Sequence, residues 1–356
     1  MKLLMYGVNK DTVMKEDAEK YFLDENNRQN QMLDIASFNG VKEIAVLSNH
    51  FRNEYYLYVD ESIFSHGDFL RYIAEGTNKS LQEIIIETYS KFNEDVLRHL
   101  FEVATGFISE TMGSISALES VEEALCFSKK VNTVGEMITR MFKTAVDLAF
   151  ELKLDASTKP LNLTKLSDYI YLLMEQMNGL EKKNYLVSGT DLEVYFLTKV
   201  LLKADAKSIS IIHNNESEAE RQTSYVKRVL NEIDQTKVYP VTSKSLYYRL
   251  SKVDAGILDT NKINVFDEKI REEIAIIRQT KKVQYLIDTG DNSAIELLYP
   301  NLDIRIIKSN NNHLYSEDEL TNANVIFDEK ISTRVKEFME YLEKSQTSTV
   351  EEQLLF

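Results

Sequence analysis

Residues 184–214 read NYLVSGTDLEVYFLTKVLLKADAKSISIIHN, an apolar run of strand length, a polar turn, a helical stretch and a second apolar run. Outward from it the pattern repeats, with apolar runs KVYPV at 237–241, AGILDT at 255–260 and VQYLIDT at 283–289, and with helical spacing in ERQTSYVKRVLNEI at 220–233. Short buried strands alternating with helices predict a parallel sheet with right-handed crossovers, a Rossmann-like, doubly wound domain. A long helical stretch, KLSDYIYLLMEQMNGLEKK at 165–183, leads into it, and the amphipathic EKISTRVKEFMEYLEKSQ at 329–346 follows it.

Upstream the pattern differs. KLLMYGVN at 2–9, KEIAVLSN at 42–49 and EYYLYVD at 54–60 read as strands, and NRQNQMLDIASFNG at 27–40 and FLRYIAEG at 69–76 as helices. From LQEIIIETYSKF at 81–92 to about Ser157 the apolar residues recur every three or four positions, which predicts helix almost throughout. STKP at 157–160 is the linker. The expected organisation is α/β: an N-terminal α/β plus helical domain over 1–157, a Rossmann-like domain over 158–310, and a C-terminal helix and tail over 311–356.

The chain has 356 residues, 43% hydrophobic and 28% charged, which excludes wholesale disorder and fibrous repeats. Only 11 glycines and 3 prolines (Pro160, Pro240 and Pro300) speak against an all-β sandwich. A formal charge of -15 opposes nonspecific adhesion to nucleic acid or anionic membranes. No apolar run approaches a membrane span and no secretory leader is evident, so the expected address is cytoplasmic, without a membrane partner. The single Cys126 permits no intrachain disulfide and no multi-cysteine metal site. No metal is expected.

The turn after the first strand of a doubly wound domain is where a dinucleotide would bind. There the chain has Ser188, Gly189, Thr190 and Asp191, one glycine where the dinucleotide fingerprint needs several, and an acid at the helix start that opposes phosphate. This reads as a scaffold with an impaired or empty nucleotide site. The second strand ends in Asn214 and Asn215 with no cation for a 2′-phosphate, and these side chains suit a helix cap. In the first half, VLSNHFRNEYYLYV at 46–59 puts Ser48, His50, Arg52 and Glu54 on alternate positions, one face if the strand runs through. The alternative is a polar turn between two strands with Arg52 and Glu54 paired on the surface.

YGVN at 6–9, VLSNHFRNEYYLYV at 46–59, VLRHLFEVATGFISETMGSI at 96–115 and NTVGEMITRMFKTAVDLAFELK at 132–153 together resemble, in order and spacing, the successive blocks of the glutamyl-tRNA reductase family. The resemblance implies an enzyme of tetrapyrrole biosynthesis that attacks the ester of glutamyl-tRNA with a cysteine thiolate and reduces the thioester with NADPH to glutamate-1-semialdehyde. The family's Ser-Thr-Cys-Asn-Arg-Thr-Glu block falls on Ser48 to Glu54, so His50 stands in the nucleophile's place while Arg52, implied to grip the substrate glutamate, is kept. An acyl-imidazole hydrolyses readily and is a poor replacement for a persistent thioester. Cys126, about seventy residues on, reads as a small core residue.

Other departures run the same way. The family's histidine before the helical block falls near Ser90 or Lys91, and its Gly-Glu-Pro-Gln run becomes Gly113, Ser114, Ile115 and Ser116, with Ser109 kept. The expectation is a divergent, glutamyl-tRNA reductase-like protein without reductase activity that binds a pathway ligand or partner protein; the alternative is an active NADPH-dependent reductase. Substrate-binding candidates are Ser48, Arg52, Glu54 and Ser109; cofactor-binding candidates are Ser188, Gly189, Thr190, Asn214 and Asn215. NADPH binding is expected to be weak or lost, and haem is considered through His50. Because the chain stops soon after its last amphipathic helix, where the resemblance implies a dimerisation domain, a monomer or a dimer of another kind is expected. The helix's stripe of Val335, Phe338, Met339 and Leu342 has two open destinations, its own Rossmann-like domain or another protein.

Overall fold

The computed structural model describes residues 1–107, 114–161, 165–229, 235–242, 245–250, 252–263, 283–290, 304–307 and 315–354. The chain divides into two compact units, Met1–Asn162 with Glu317–Phe356, and Leu163–Ser316.

The first unit opens with β1 (Lys2–Asn9), α1 (Lys15–Tyr21), α2 (Glu25–Ala36), β2 (Val41–Asn49) and β3 (Arg52–Val59). It continues with α3 (His66–Thr77), α4 (Leu81–Glu87), β4 (Tyr89–Phe92), α5 (Glu94–Thr105), α6 (Ile115–Val131) and α7 (Glu136–Leu154). Its four strands form an antiparallel sheet in the order β2-β3-β1-β4. Alternation along β3 sends Tyr55, Leu57 and Val59 to one face, into a core with Met32, Ile35, Phe69 and Ile73 of α2 and α3. The opposite face carries Glu54 and Tyr56, the latter edge-on to Phe142 of α7.

The reading of 81–157 as helix almost throughout is corrected at β4. Tyr89–Phe92 pairs with β1, Tyr6 opposite Ser90 and Met5 opposite Lys91. Four residues are too few to show a two-residue period, and the adjacent isoleucines carry the helical signal. Ile84 is buried but Ile85 and Ile86 are 56% and 82% exposed, so α4 has a narrow apolar face.

A last helix, α12 (Glu317–Leu354), also belongs to the first unit. Its stripe of Phe327, Ile331, Val335, Phe338 and Leu342 is buried, and Phe327 stacks on Phe107 at 4.7 Å. Polar ties flank the stripe. Lys330 reaches Glu151 at 2.9 Å and Asp155 at 2.7 Å, Arg334 reaches Glu151 at 2.9 Å, and Arg98 reaches Asp328 at 2.8 Å. Neither expected destination of the stripe is the one observed. It packs on α5, α7 and the short 3₁₀ turn Ala156–Leu161 of the N-terminal region, because 38 residues at 1.5 Å each give the helix the reach to return there.

The second unit contains α8 (Lys165–Met177), β5 (Asn184–Val187), α9 (Asp191–Lys203), β6 (Ser208–Ile212), α10 (Glu216–Val229) and β7 (Val238–Val241). Then come α11 (Leu246–Leu250), β8 (Ala255–Leu258), β9 (Gln284–Asp288) and β10 (Ile304–Ile307). Six parallel strands lie in the order β10-β9-β8-β5-β6-β7, so the chain reverses direction across the sheet between β5 and β8. This is the expected doubly wound, Rossmann-like order, with a switch point at the carboxyl ends of β5 and β8. Among the described residues no helix is long and apolar enough to cross a membrane.

Candidate functional site

The segment 46–59 is a hairpin with a two-residue turn. Asn49 pairs with Arg52 across it, and the Asn49 Oδ1 accepts from the backbone N–H of Phe51 at 2.9 Å and of Arg52 at 3.1 Å. Cross-strand partners share a face, and the register pairs Ser48 with Asn53 and Leu47 with Glu54. Ser48 therefore lies on the face opposite Glu54. The expected common face for Ser48, His50, Arg52 and Glu54 is corrected, since the chain reverses at His50 and reversal changes the parity. Ser48 Oγ accepts from the Leu23 N–H at 3.1 Å, fastening the chain ahead of α2. His50 is exposed at the tip, its ring stacked on Phe22 at 4.9 Å and 10°.

Arg52 and Glu54 do pair, as the turn reading has it, but the pair is not on the surface. The Glu54 side chain is fully buried and that of Arg52 only 12% exposed. Glu54 Oε1 accepts from Arg52 Nη1 at 3.2 Å, from the Tyr89 hydroxyl at 2.6 Å and from His99 Nε2 at 2.9 Å; Oε2 accepts from the Tyr56 hydroxyl at 2.6 Å. β3, β4 and α5 each contribute to this cluster. Burial alone would raise the Glu54 pKa, but His99, Arg52 and the Tyr56 hydroxyl hold it down at about 2. Burial and the Glu54 charge push the Tyr89 phenol well above its ordinary value, so Tyr89 is a hydrogen-bond donor at any physiological pH.

Gly7 of β1 makes room for the carboxylate. A Cβ there would lie 2.8 Å from Glu54 Cγ and 3.1 Å from Tyr89 Cζ. This is a close-approach glycine, in register with both Glu54 and Tyr89.

His99 is the participant that sequence reasoning missed. It sits on α5 among buried Val96, Leu97, Leu100 and Phe101, and is 6% exposed. The signal for it was a polar ring on an otherwise apolar helix face, which demands a buried partner. Ser90 and Lys91, the positions expected to answer the family's histidine, are instead on β4 beside Tyr89. Ser109 lies outside the described residues. Cys126, half-exposed on α6, contributes nothing to the cluster.

Chemically, Oε1 with three donors is saturated. Glu54 is a hub that orients Arg52 and His99 rather than a base waiting for a ligand's proton. A carboxylate bonded to one imidazole nitrogen holds the ring in a fixed orientation.

The nucleotide turn is occupied by its own side chains. Thr190 caps α9, its hydroxyl accepting from the Glu193 N–H at 3.3 Å, while the Glu193 carboxylate accepts from the Thr190 N–H at 2.7 Å. Asp191 is clasped by Arg221 through two bonds of 2.8 Å, and the Gly189 carbonyl accepts from Gln222 Nε2 at 3.1 Å. Ser188 is buried, its hydroxyl accepting from the Asp259 N–H at 2.7 Å and so tying β5 to β8 across the switch point. Asn215 Oδ1 accepts from the Ser217 N–H at 3.0 Å at the start of α10. The adjoining Asn214 completes the strand end, so both asparagines stand at the entry to α10. The residues present do not fit a dinucleotide phosphate well, because the Glu193 carboxylate takes the Thr190 N–H and Asp191 and Glu193 place two acids in the first turn of α9. For haem, a ligating imidazole needs an apolar pocket around the macrocycle, and His50 stands on an exposed turn. Among the described residues no group of three or more His, Cys, Asp or Glu side chains is arranged to hold a metal.

The model of the glutamyl-tRNA reductase N-terminal domain matches residues 6–155. A glutamyl-tRNA reductase from Exiguobacterium sp. is 25% identical over 219 residues, covering 62% of this chain and 49% of that protein. One from Trichodesmium erythraeum is 24% identical over 220 residues, covering 62% and 51%. One from Picosynechococcus sp. is 21% identical over 285 residues, covering 77% and 67%. Among solved structures, glutamyl-tRNA reductase from Methanopyrus kandleri aligns over 99% of this chain and 80% of that one, at 18% identity and a TM-score of 0.46. The chain spans about half the length of the first two of these curated relatives. Residues 6–155 thus match the N-terminal domain of glutamyl-tRNA reductases, and at 25% identity over 219 residues the chain bears a divergent likeness to that family.

Proposed function

We propose that this protein is a cytoplasmic, glutamyl-tRNA reductase-like component of tetrapyrrole biosynthesis that binds a pathway ligand or partner enzyme and does not carry out the reduction. The observation that carries this reading is the separation of His50 from the Glu54 cluster. The residue in the nucleophile's place is an exposed ring stacked on Phe22, whereas Arg52 keeps a buried carboxylate partner. A carboxylate-bearing ligand at Arg52 is then held without a covalent intermediate. The self-occupied turn at Thr190 supports the same reading, since a reductase needs its nicotinamide cofactor.

A second reading, an active NADPH-dependent reductase, is favoured by one observation. The Arg52–Glu54–His99 cluster is complete and buried, and a buried polar network of this kind is costly to keep without a role.

Purified full chain incubated with glutamyl-tRNA and NADPH decides between them. The expected result is no glutamate-1-semialdehyde above a no-enzyme control, with calorimetry giving an NADPH dissociation constant in the millimolar range or no heat. Robust turnover, or a low-micromolar constant, overturns the proposal. His50→Cys is expected not to restore turnover, because the cofactor turn is altered as well.

A further inference from the structure

On the face of the sheet opposite Glu54, Asn53 points into a pocket whose other walls include Tyr6, Tyr21, Tyr55, Phe69 and Thr88. Asn53 is 2% exposed. Its Nδ2 donates to the Tyr55 hydroxyl at 3.0 Å, which donates in turn to Gln31 Oε1 at 2.7 Å. The Asn53 Oδ1 is buried without a hydrogen-bond partner. An acceptor stranded in this way is destabilising, and native structures carry few of them.

The pocket encloses about 240 Å³ of empty space, counting its open mouth. Most of that is open mouth, and the enclosed part has room for about one water-sized molecule. Its walls select for charge as well as size. The nearby carboxylate of Glu87 is already neutralised by Lys79 at 2.7 and 2.8 Å, so a cation finds no counter-charge. An anion would face the Asn53 carbonyl oxygen. What remains is a small, uncharged hydrogen-bond donor.

We propose that this pocket is a binding site for one small uncharged donor, either an ordered water or an alcohol-sized molecule, anchored on Asn53 Oδ1. Asn53 lies between Arg52 and Glu54 on β3 with its side chain on the other face, so the occupant braces from behind the strand that carries the Glu54 cluster. Buried waters of this kind satisfy otherwise unpaired polar atoms and are costly to remove.

The test is a high-resolution crystal structure of the full chain, grown in aqueous buffer and again after transfer to methanol, together with solution NMR of the Asn53 side-chain amide. A peak at hydrogen-bonding distance from Asn53 Oδ1 in buffer, with cross-peaks to long-lived water, identifies water. A peak only in methanol, with the Asn53 amide signal shifting on methanol titration in solution, identifies an alcohol-sized ligand. Methanol density without that shift is binding at crystal concentration only and overturns the proposal. So does an unoccupied pocket in both crystals with the Asn53 amide turned and internally paired. Asn53→Leu, nearly isosteric and lacking the acceptor, is expected to abolish the peak, and persistence of the peak would remove Asn53 as the anchor. If that variant does not fold, the wild-type crystal and NMR arms decide the matter on their own.

Discussion

Glu54 Oε1 and His99 Nε2 lie 2.9 Å apart, both side chains buried, one on β3 and the other on α5. This bond joins the sheet to the helical part of the first unit, and it is made by residues forty-five positions apart. Its strength depends on the carboxylate staying ionised, which the cluster ensures by holding the Glu54 pKa at about 2.

Acid should therefore weaken the fold in a defined window. A carboxyl depressed in the folded state contributes stability that is present above its unfolded pKa of about 4.3 and is lost as pH falls through the folded value. Denaturant titrations from pH 6 down to pH 2 should show that loss, on the order of 2–3 kcal/mol from this group. Glu54→Gln should be destabilised at pH 6 and should have a flatter profile between pH 5 and 2. An unchanged profile would mean that Glu54 is not the group responsible.

Gly7→Ala should disturb the same cluster from the neighbouring strand. Its Cβ would meet Glu54 Cγ at 2.8 Å and the rigid Tyr89 ring at 3.1 Å, and overpacking of this sort costs about 1–3 kcal/mol. Urea denaturation is the measurement. A variant as stable as the parent would show that β4 shifts freely enough to admit the methyl group.

Phe338→Asp should unfold α12 from the first unit rather than free a docking surface. Phe338 is 4% exposed, and placing a carboxylate there combines the loss of a buried aromatic with an uncompensated charge, about 3–5 kcal/mol or more. Thermal melts and limited proteolysis of 317–354 should both show it. A variant with native stability would overturn the packing described for this helix.

Lys153 should show the same sign of pH dependence as Glu54, in a window several pH units higher. It is 1% exposed near the carboxyl end of α7, 3.4 Å from the Thr105 carbonyl, and burial pushes its pKa down to about 7. With the folded value below the unfolded one, the unfolded chain binds the extra proton, so stability rises between about pH 7 and pH 10.4. Lys153→Met should remove that rise and gain on the order of a few kcal/mol at neutral pH. A loss of stability at pH 7 would show that the ammonium is compensated in the folded state.

What the sequence by itself determined was most of the elements, β4 excepted, and the parallel sheet of the second half. Apolar runs such as Tyr185–Val187 and Ile209–Ile212 are buried whatever lies beside them, and turn residues such as Asn49 act on their own backbone. These are local properties, and so is the change at His50, which is visible in one residue. Tertiary structure alone decided the rest, because it turned on contacts between distant segments. Whether Ser48 sides with Glu54 depended on where the hairpin reverses. Tyr89 became a strand residue only because β1 offered it an edge. His99 became part of the site because α5 crosses the buried carboxylate of Glu54. The destination of α12 was set by its length and by Glu151, Asp155 and Arg98, whose charges lie far from it along the chain.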